Sequence, residues 1–195
     1  MRSFPGVSAG GVSTGSNACL FHGAPALEFV LGRAGRADRT VQAAVDRVVA
    51  ARLAAARRRR ASTRLPTLAE FDLIRGLTGL GALLLTRPGS PPPLLHEVLT
   101  HLVTLAGLAE ADSRGLPGWW SPDSPTHEEI AGGHANNGVA HGIAGPLALL
   151  SLAAHRDILV EGQTTPSRPG PARRARHRRR ESRWSGRGCG GPGAA

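Results

Sequence analysis

Three stretches of the chain run almost without polar residues, and each follows a glycine. LEFVL follows Gly23-Ala-Pro-Ala26, LGALLL follows Gly76-Leu-Thr-Gly79, and PLALL follows Gly142-Ile-Ala-Gly145. The leading glycines are 53 and 66 residues apart. Between them lie segments with a helical apolar period, so the chain reads as a recurring unit of outer helix, loop, and inner helix entered through a glycine turn. The expected inner helices cover about residues 24–33, residues 67–87, and the stretch after residue 145, where Pro146 suits a first helical turn. LALLSLAA is apolar on every side, so the third inner helix is expected to be buried. The fold class is all-α.

The outer helices are amphipathic. In residues 38–60, Val41, Val45, Val48, Val49 and Leu53 form one stripe, and Asp38 is the expected N-cap. Arg57, Arg58, Arg59 and Arg60 close that helix, where positive charge suits the dipole. They read as a solvated helix end or, alternatively, as a patch for phosphate or a leader peptide. SPPP at 90–93 ends the unit, and 94–111 is the next outer helix with Leu95, Val98, Leu99, Leu102 and Ala106 inward. Glu97 and His101 have the spacing of a surface pair. His96 and His101 lack the i, i+4 spacing of a shared metal site.

Two polar residues stand out against these apolar surroundings. His141 sits in the glycine-rich turn GGHANNGVAHGIAG, at the mouth of the third inner helix. It is either a capping histidine or a proton-transfer group. Asp72 lies one turn before Gly76, among Phe71, Leu73 and Ile74, where a carboxylate is costly to bury without a partner. It either caps the turn or pairs with Arg75, or else it orients or transfers a proton. Residues 112–137 form a long loop with Trp119 and Trp120, which either line a peptide groove or pack over helix ends. His127 and His134 lie in the same loop. His22, at the first glycine turn, reads as a satisfied turn histidine.

Composition narrows the picture. At 195 residues and 41% hydrophobic, one domain with a core is possible. All 24 basic residues are arginine, and nine of them fall in residues 164–195 beside a single acidic residue, so the net charge of +10 belongs mostly to that tail. Two distant cysteines, Cys19 and Cys189, make no disulfide framework. No apolar run is long enough to span a bilayer and no signal-like N-terminus is seen, so no membrane partner is implied and a cytoplasmic location is expected.

GVAHGIAGPLALLSLA, EFDLIRGLTGLGALLL and LFHGAPALEFVL together, with PGWW at 117–120, resemble the lanthionine synthetase C-like (LanC-like) family over residues 17–163. The resemblance implies an α/α toroid and zinc-dependent cyclisation of a dehydrated precursor peptide, with a dehydratase as a partner enzyme. In that chemistry a cysteine thiol adds to a dehydrated serine or threonine, giving a lanthionine thioether. By resemblance His141 is the general acid/base and Asp72 its acidic companion; Trp119 and Trp120 are candidate peptide-binding residues because their loop leads to the His141 turn. The family's zinc is held by two cysteines and a histidine from later repeats, and no such ligand set is seen in this chain. Cys189 stands in GCGG and Cys19 matches no ligand position.

After Gln163 the character changes to TTPSRPGPARRARHRRRESRWSGRGCGGPGAA, with no aliphatic residue larger than alanine and no helical period. Three segments are therefore expected: a flexible 1–16, a partial toroid over 17–163, and a disordered basic tail over 164–195. The tail reads as an out-of-frame extension of a truncated chain that is inactive alone. If it is genuine, it is a basic arm for nucleic acid. A non-catalytic helical-repeat module that binds a modified peptide or a partner enzyme is the alternative function.

Overall fold

The computed structural model describes residues 12–62, 64–107, 115–126 and 128–163. The expectations for residues 1–11, His127, Cys189 and the whole 164–195 tail lie outside these residues. Six helices and one hairpin follow in order: α1 (Ala24–Arg33), α2 (Arg39–Ala61), α3 (Leu68–Phe71), α4 (Leu77–Leu85), α5 (Pro93–Leu105), β1 (Ser121–Asp123), β2 (Glu129–His134) and α6 (Ala144–Ala154). The chain is mainly helical, with one small antiparallel hairpin that a purely helical reading leaves out.

The middle inner helix, α4, is apolar all round and is buried accordingly. It packs against α1, α2, α5 and α6. Leu77, Leu80, Leu83 and Leu84 meet Val45, Val49 and Leu53 of α2, Leu95, Val98, Leu99 and Leu102 of α5, and Leu149 and Ala153 of α6 in one core. Each fully buried leucine contributes about 1.5–3 kcal/mol, which favours this arrangement over exposing any of these stripes. Gly81 sets the closeness of the packing: a Cβ there would stand 2.9 Å from Val98 Cγ1 and 2.7 Å from Leu149 Cδ2. Of the stripe expected on α2, Val45, Val48, Val49 and Leu53 enter the core and Val41 stays half-buried, and Asp38 caps that helix by accepting from the Thr40 and Val41 amides.

Four expectations need correction. The 67–87 segment is not one helix: α3 stops at Phe71, residues 72–76 form a bent turn, and α4 starts afresh at Leu77. The Asp72 side chain bonds the amides of that turn and so competes with helical pairing. The 112–137 loop contains the β1–β2 hairpin, with Ser121 opposite His134. The third inner helix, α6, is buried on one face only, since Leu147 and Leu152 are 53% and 55% exposed. Glu97 and His101 do not pair: Glu97 takes Arg57, while His101 faces inward toward Glu70.

Buried charge ties the helices together. Arg87, just past α4, makes a bidentate pair with Glu28 of α1 at 2.6 and 2.9 Å and reaches Asp46 of α2 at 2.7 Å. The guanidinium is thereby held above its ordinary range: burial works downward, and the bonds and charges of Glu28 and Asp46 outweigh it. Arg59 of α2 makes the same kind of fork onto Glu70 of α3, at 3.0 and 2.7 Å, so part of the α2 arginine run is structural. His101 Nε2 lies 3.3 Å from Glu70 Oε1, within ion-pair range but without hydrogen-bond alignment.

Burial pushes the Glu70 carboxyl up, but the His101 and Arg59 contacts and charges outweigh it and hold the group below its ordinary value of 4.5. A carboxyl with a lower pKa in the folded state contributes stability that is complete above its unfolded value. That contribution fades as the pH falls through the folded value. Arg59→Gln is therefore expected to lower stability by about 3 kcal/mol near neutrality, as for a broken half-buried pair. The gap from wild type should stay constant above about pH 5 and narrow below about pH 4, read from urea unfolding at each pH. A gap independent of pH would show that Glu70 is not the linked group.

Candidate functional site

The second and third inner helices begin with the same device. At Gly76 an added Cβ would collide with the backbone of Phe71 and Asp72, and at Gly79 with the Leu73 carbonyl. At Gly142 it would meet the backbone of Asn136 and Gly138, and at Gly145 the Val139 carbonyl. In each unit the turn before the helix folds back so that the backbone four residues before the first glycine lies against that glycine. The carbonyl six residues before the second glycine touches that one. Any side chain at these four positions would push the turn away from the helix, which is the physical reason for the recurring Gly-x-x-Gly.

The two turns meet. The Leu73 amide donates to the Ala140 carbonyl at 3.0 Å. This single backbone bond joins segments 67 residues apart and sets the neighbours of its two ends, Asp72 and His141, side by side. His141 Nδ1 lies 2.7 Å from Asp72 Oδ2. The other carboxylate oxygen, Oδ1, accepts from the Arg75 amide at 2.6 Å and the Gly76 amide at 2.8 Å. Asp72 therefore both caps its own turn and orients the histidine, and it meets Arg75 through the backbone amide. The carboxylate is 2% exposed, whereas the His141 side chain is 29% exposed.

This asymmetry has chemical content. A buried, fixed carboxylate on Nδ1 holds the imidazole in one orientation and favours the Nδ1–H tautomer, leaving Nε2 to take or give a proton. Among the described residues no other protein group hydrogen-bonds Nε2. The base–orienter pair has the geometry used in proton transfer to and from carbon or oxygen.

The remaining expected site residues are placed differently. Trp119 packs against the core, and its Nε1 is buried without a hydrogen-bond partner. Trp120 is partly exposed, and its Nε1 donates to the Gly132 carbonyl at 3.0 Å, closing the hairpin. The hairpin in turn positions α3, since Asp123 Oδ1 accepts from the Leu68 amide at the first turn of that helix. Trp120 thus belongs to the hairpin that supports the Asp72 segment. His134 lies on β2 with Nδ1 buried and unpartnered. The His22 ring is 3.1 Å from Asn17 Nδ2, a satisfied turn histidine.

Zinc demands three protein ligands in a catalytic site. Among the described residues no group of three or more His, Cys, Asp or Glu side chains could hold a metal ion. The described residues alone thus do not supply the ligand set that the family's zinc requires. No helix among the described residues is long and apolar enough to cross a membrane.

The family model for lanthionine synthetase C-like protein matches residues 7–166, most of the chain, and the protein belongs to that family. No curated protein matches the chain.

The geometry separates support from chemistry. Asp72→Ala removes the acceptor of two turn amides in a buried setting, and a cost of about 2 kcal/mol is expected. His141→Ala removes a partly exposed ring and should cost less than about 1 kcal/mol. Urea unfolding of both variants checks the order. A His141→Ala loss as large as that of Asp72→Ala would make the histidine a structural residue.

Proposed function

We propose that the chain supplies the proton-transfer part of lanthionine formation on a dehydrated precursor peptide. The observation that carries this reading is the 2.7 Å pairing of Asp72 with His141, held by the joined glycine turns of a LanC-like chain. In the reaction the substrate thiol loses its proton and sulfur bonds to Cβ of a dehydroamino acid. The Cα=Cβ electron pair then moves into the adjacent amide as an enolate, and a proton is delivered to Cα. Nothing is oxidised or reduced. As the imidazolium, His141 gives the Nε2 proton to Cα. Asp72 keeps Nδ1 engaged throughout, so the ring does not turn between proton loss and recharge.

On this reading the three inner helices α1, α4 and α6, with α2 and α5 outside them, are part of an α/α toroid. Supporting this, α1 and α6 both flank α4, and each presents large apolar side chains to solvent: Phe29 and Val30 on α1, Leu147 and Leu152 on α6. Zinc is the thiol-activating group of the intact family, and the described residues do not provide a place for it. Thiol activation at neutral pH therefore has to come from outside them, and the described part is inactive alone on a cysteine substrate. A free cysteine, with a pKa near 8.5, is about 3% thiolate at pH 7. The reading places the reaction in the cytoplasm, where thiols stay reduced, with a dehydratase as the partner that prepares the peptide.

A peptide that needs no thiol activation isolates the dyad. With a dehydroalanine peptide carrying selenocysteine, whose selenol is ionised at neutral pH, the chain is expected to accelerate ring closure at pH 7. Closure leaves the mass unchanged and removes the alkylatable selenol, so alkylation followed by mass spectrometry reads it. His141→Ala should lower the acceleration on the order of 10²-fold or more, and Asp72→Asn by a similar factor. Equal rates with wild type and His141→Ala, or with and without the chain, would sink the proposal.

A further inference from the structure

Successive units of the chain touch one another through the same positions. The residue three before one leading glycine meets the residue three after the next. A Cβ on Gly79 would stand 3.2 Å from Leu20 Cβ, and one on Gly145 would stand 3.7 Å from Leu73 Cβ. The residue five after one leading glycine meets the residue seven after the next. A Cβ on Gly81 would stand 2.7 Å from Leu149 Cδ2, and Glu28 and Leu83 line one hollow between α1 and α4.

Each unit therefore has a forward face and a backward face, and the two fit each other because the chain packs them together internally. The middle unit has both faces covered. The forward face of the third unit is bare: Val139 is 58% exposed, and Leu147, at the position of Gly81, is half-exposed. The backward face of the first unit is bare too: Phe21 is 65% exposed, and Val30, at the position of Leu149, is 61% exposed. Neither face carries the charge that a helix usually shows to water. From Ala144 to Ala154 α6 has no charged residue. On α1 the charged residues are Glu28, which is buried against Arg87, and Arg33 at the last position.

A bare forward face is matched by a bare backward face, and α1 carries one. We propose that a second copy of this chain covers both faces, head to tail, with the α6 end of each copy on the α1 end of the other. The repeated positions then set the contacts: Val139 on Ala26 of the second copy, and Leu147 on Val30 of the second copy. The large residue changes sides relative to Gly81 and Leu149, so the space is filled from the α6 side. A two-fold axis makes the same contacts twice, closes the pair and leaves neither face bare. With roughly 100 Å² exposed on each, Phe21, Phe29, Val30, Val139, Leu147 and Leu152 offer about 600 Å² per copy. That is most of the roughly 800 Å² per partner that a standard interface buries. The inference rests on the repeated contacts and is independent of the chemistry assigned to His141.

The test is the mass of the full chain in solution, so its outcome is separate from that of any activity assay. Sedimentation velocity over a series of concentrations, in high salt to screen the arginine-rich tail, should show a monomer passing into a dimer. Val30→Glu and Leu147→Arg change side chains that are exposed in the single copy, so each variant should keep the far-UV circular dichroism of wild type. Each alone should weaken pairing ten-fold or more. Mixing the two variants should restore the dimer, with one copy of each. The mixed pair joins an intact α6 end to an intact α1 end and sets the two substituted positions, of opposite charge, against each other. A monomer at every concentration, or association that both substitutions leave unchanged, would overturn the proposal. So would a mixture that pairs no better than either variant alone, since that result belongs to like ends meeting like or to a different partner for these faces.

Discussion

The structure depends on glycines that lie against backbone. At Gly76, Gly79, Gly142 and Gly145 the preceding turn folds onto the first turn of an inner helix at a distance that admits no Cβ. Close packing of turn on helix brings the two turns within reach of each other, and the Leu73–Ala140 hydrogen bond locks them. Everything chemical in the site follows from that lock. Asp72 and His141 belong to different units and different helices, and neither has any local reason to find the other. Their 2.7 Å contact is set by the backbone around them.

Ionic ties on the far side keep this geometry from spreading. Arg87 holds α1 and α2 against the end of α4, and Arg59 with Glu70 holds α3 against α2. Both are bidentate and largely removed from water, so each fixes an angle between helices as well as a distance. Glu70 precedes Phe71, the last residue of α3, and Asp72 is next in the chain. The start of the functional turn is therefore pinned from behind by a charge pair and from the side by the hairpin residue Asp123. Rigid supports of this kind let a partly exposed histidine keep one orientation.

Much of this was legible in the sequence, and the failures have physical causes. The glycine spacing marked the inner helices, and the valine stripe and Asp38 marked α2, because those signals are local. Resemblance singles out His141 and Asp72 and makes them companions, while the residues themselves carry no local sign of the contact, since 69 residues separate them. The break at Asp72 is not legible because apolar residues recur at helical spacing on both sides of it, whereas the Asp72 side chain captures the turn amides. His101 was set on the surface by its spacing from Glu97, but it shares the Val98 and Leu105 face that α5 buries. The hairpin escaped because β1 is three residues long with a proline in the middle, too short to show alternation.

The central claim is that the joined turns hold His141 with Nδ1 on a buried carboxylate and Nε2 available for chemistry. The most direct measurement is the tautomer of the neutral His141 ring, read by long-range nitrogen–proton NMR at a pH well above the ordinary histidine range. The account predicts Nδ1 protonated and Nε2 bare, with the proton lost from that preference in Asp72→Asn. A neutral ring protonated at Nε2 in the wild-type protein would contradict it, and the dyad would then be no more than two neighbours in a turn.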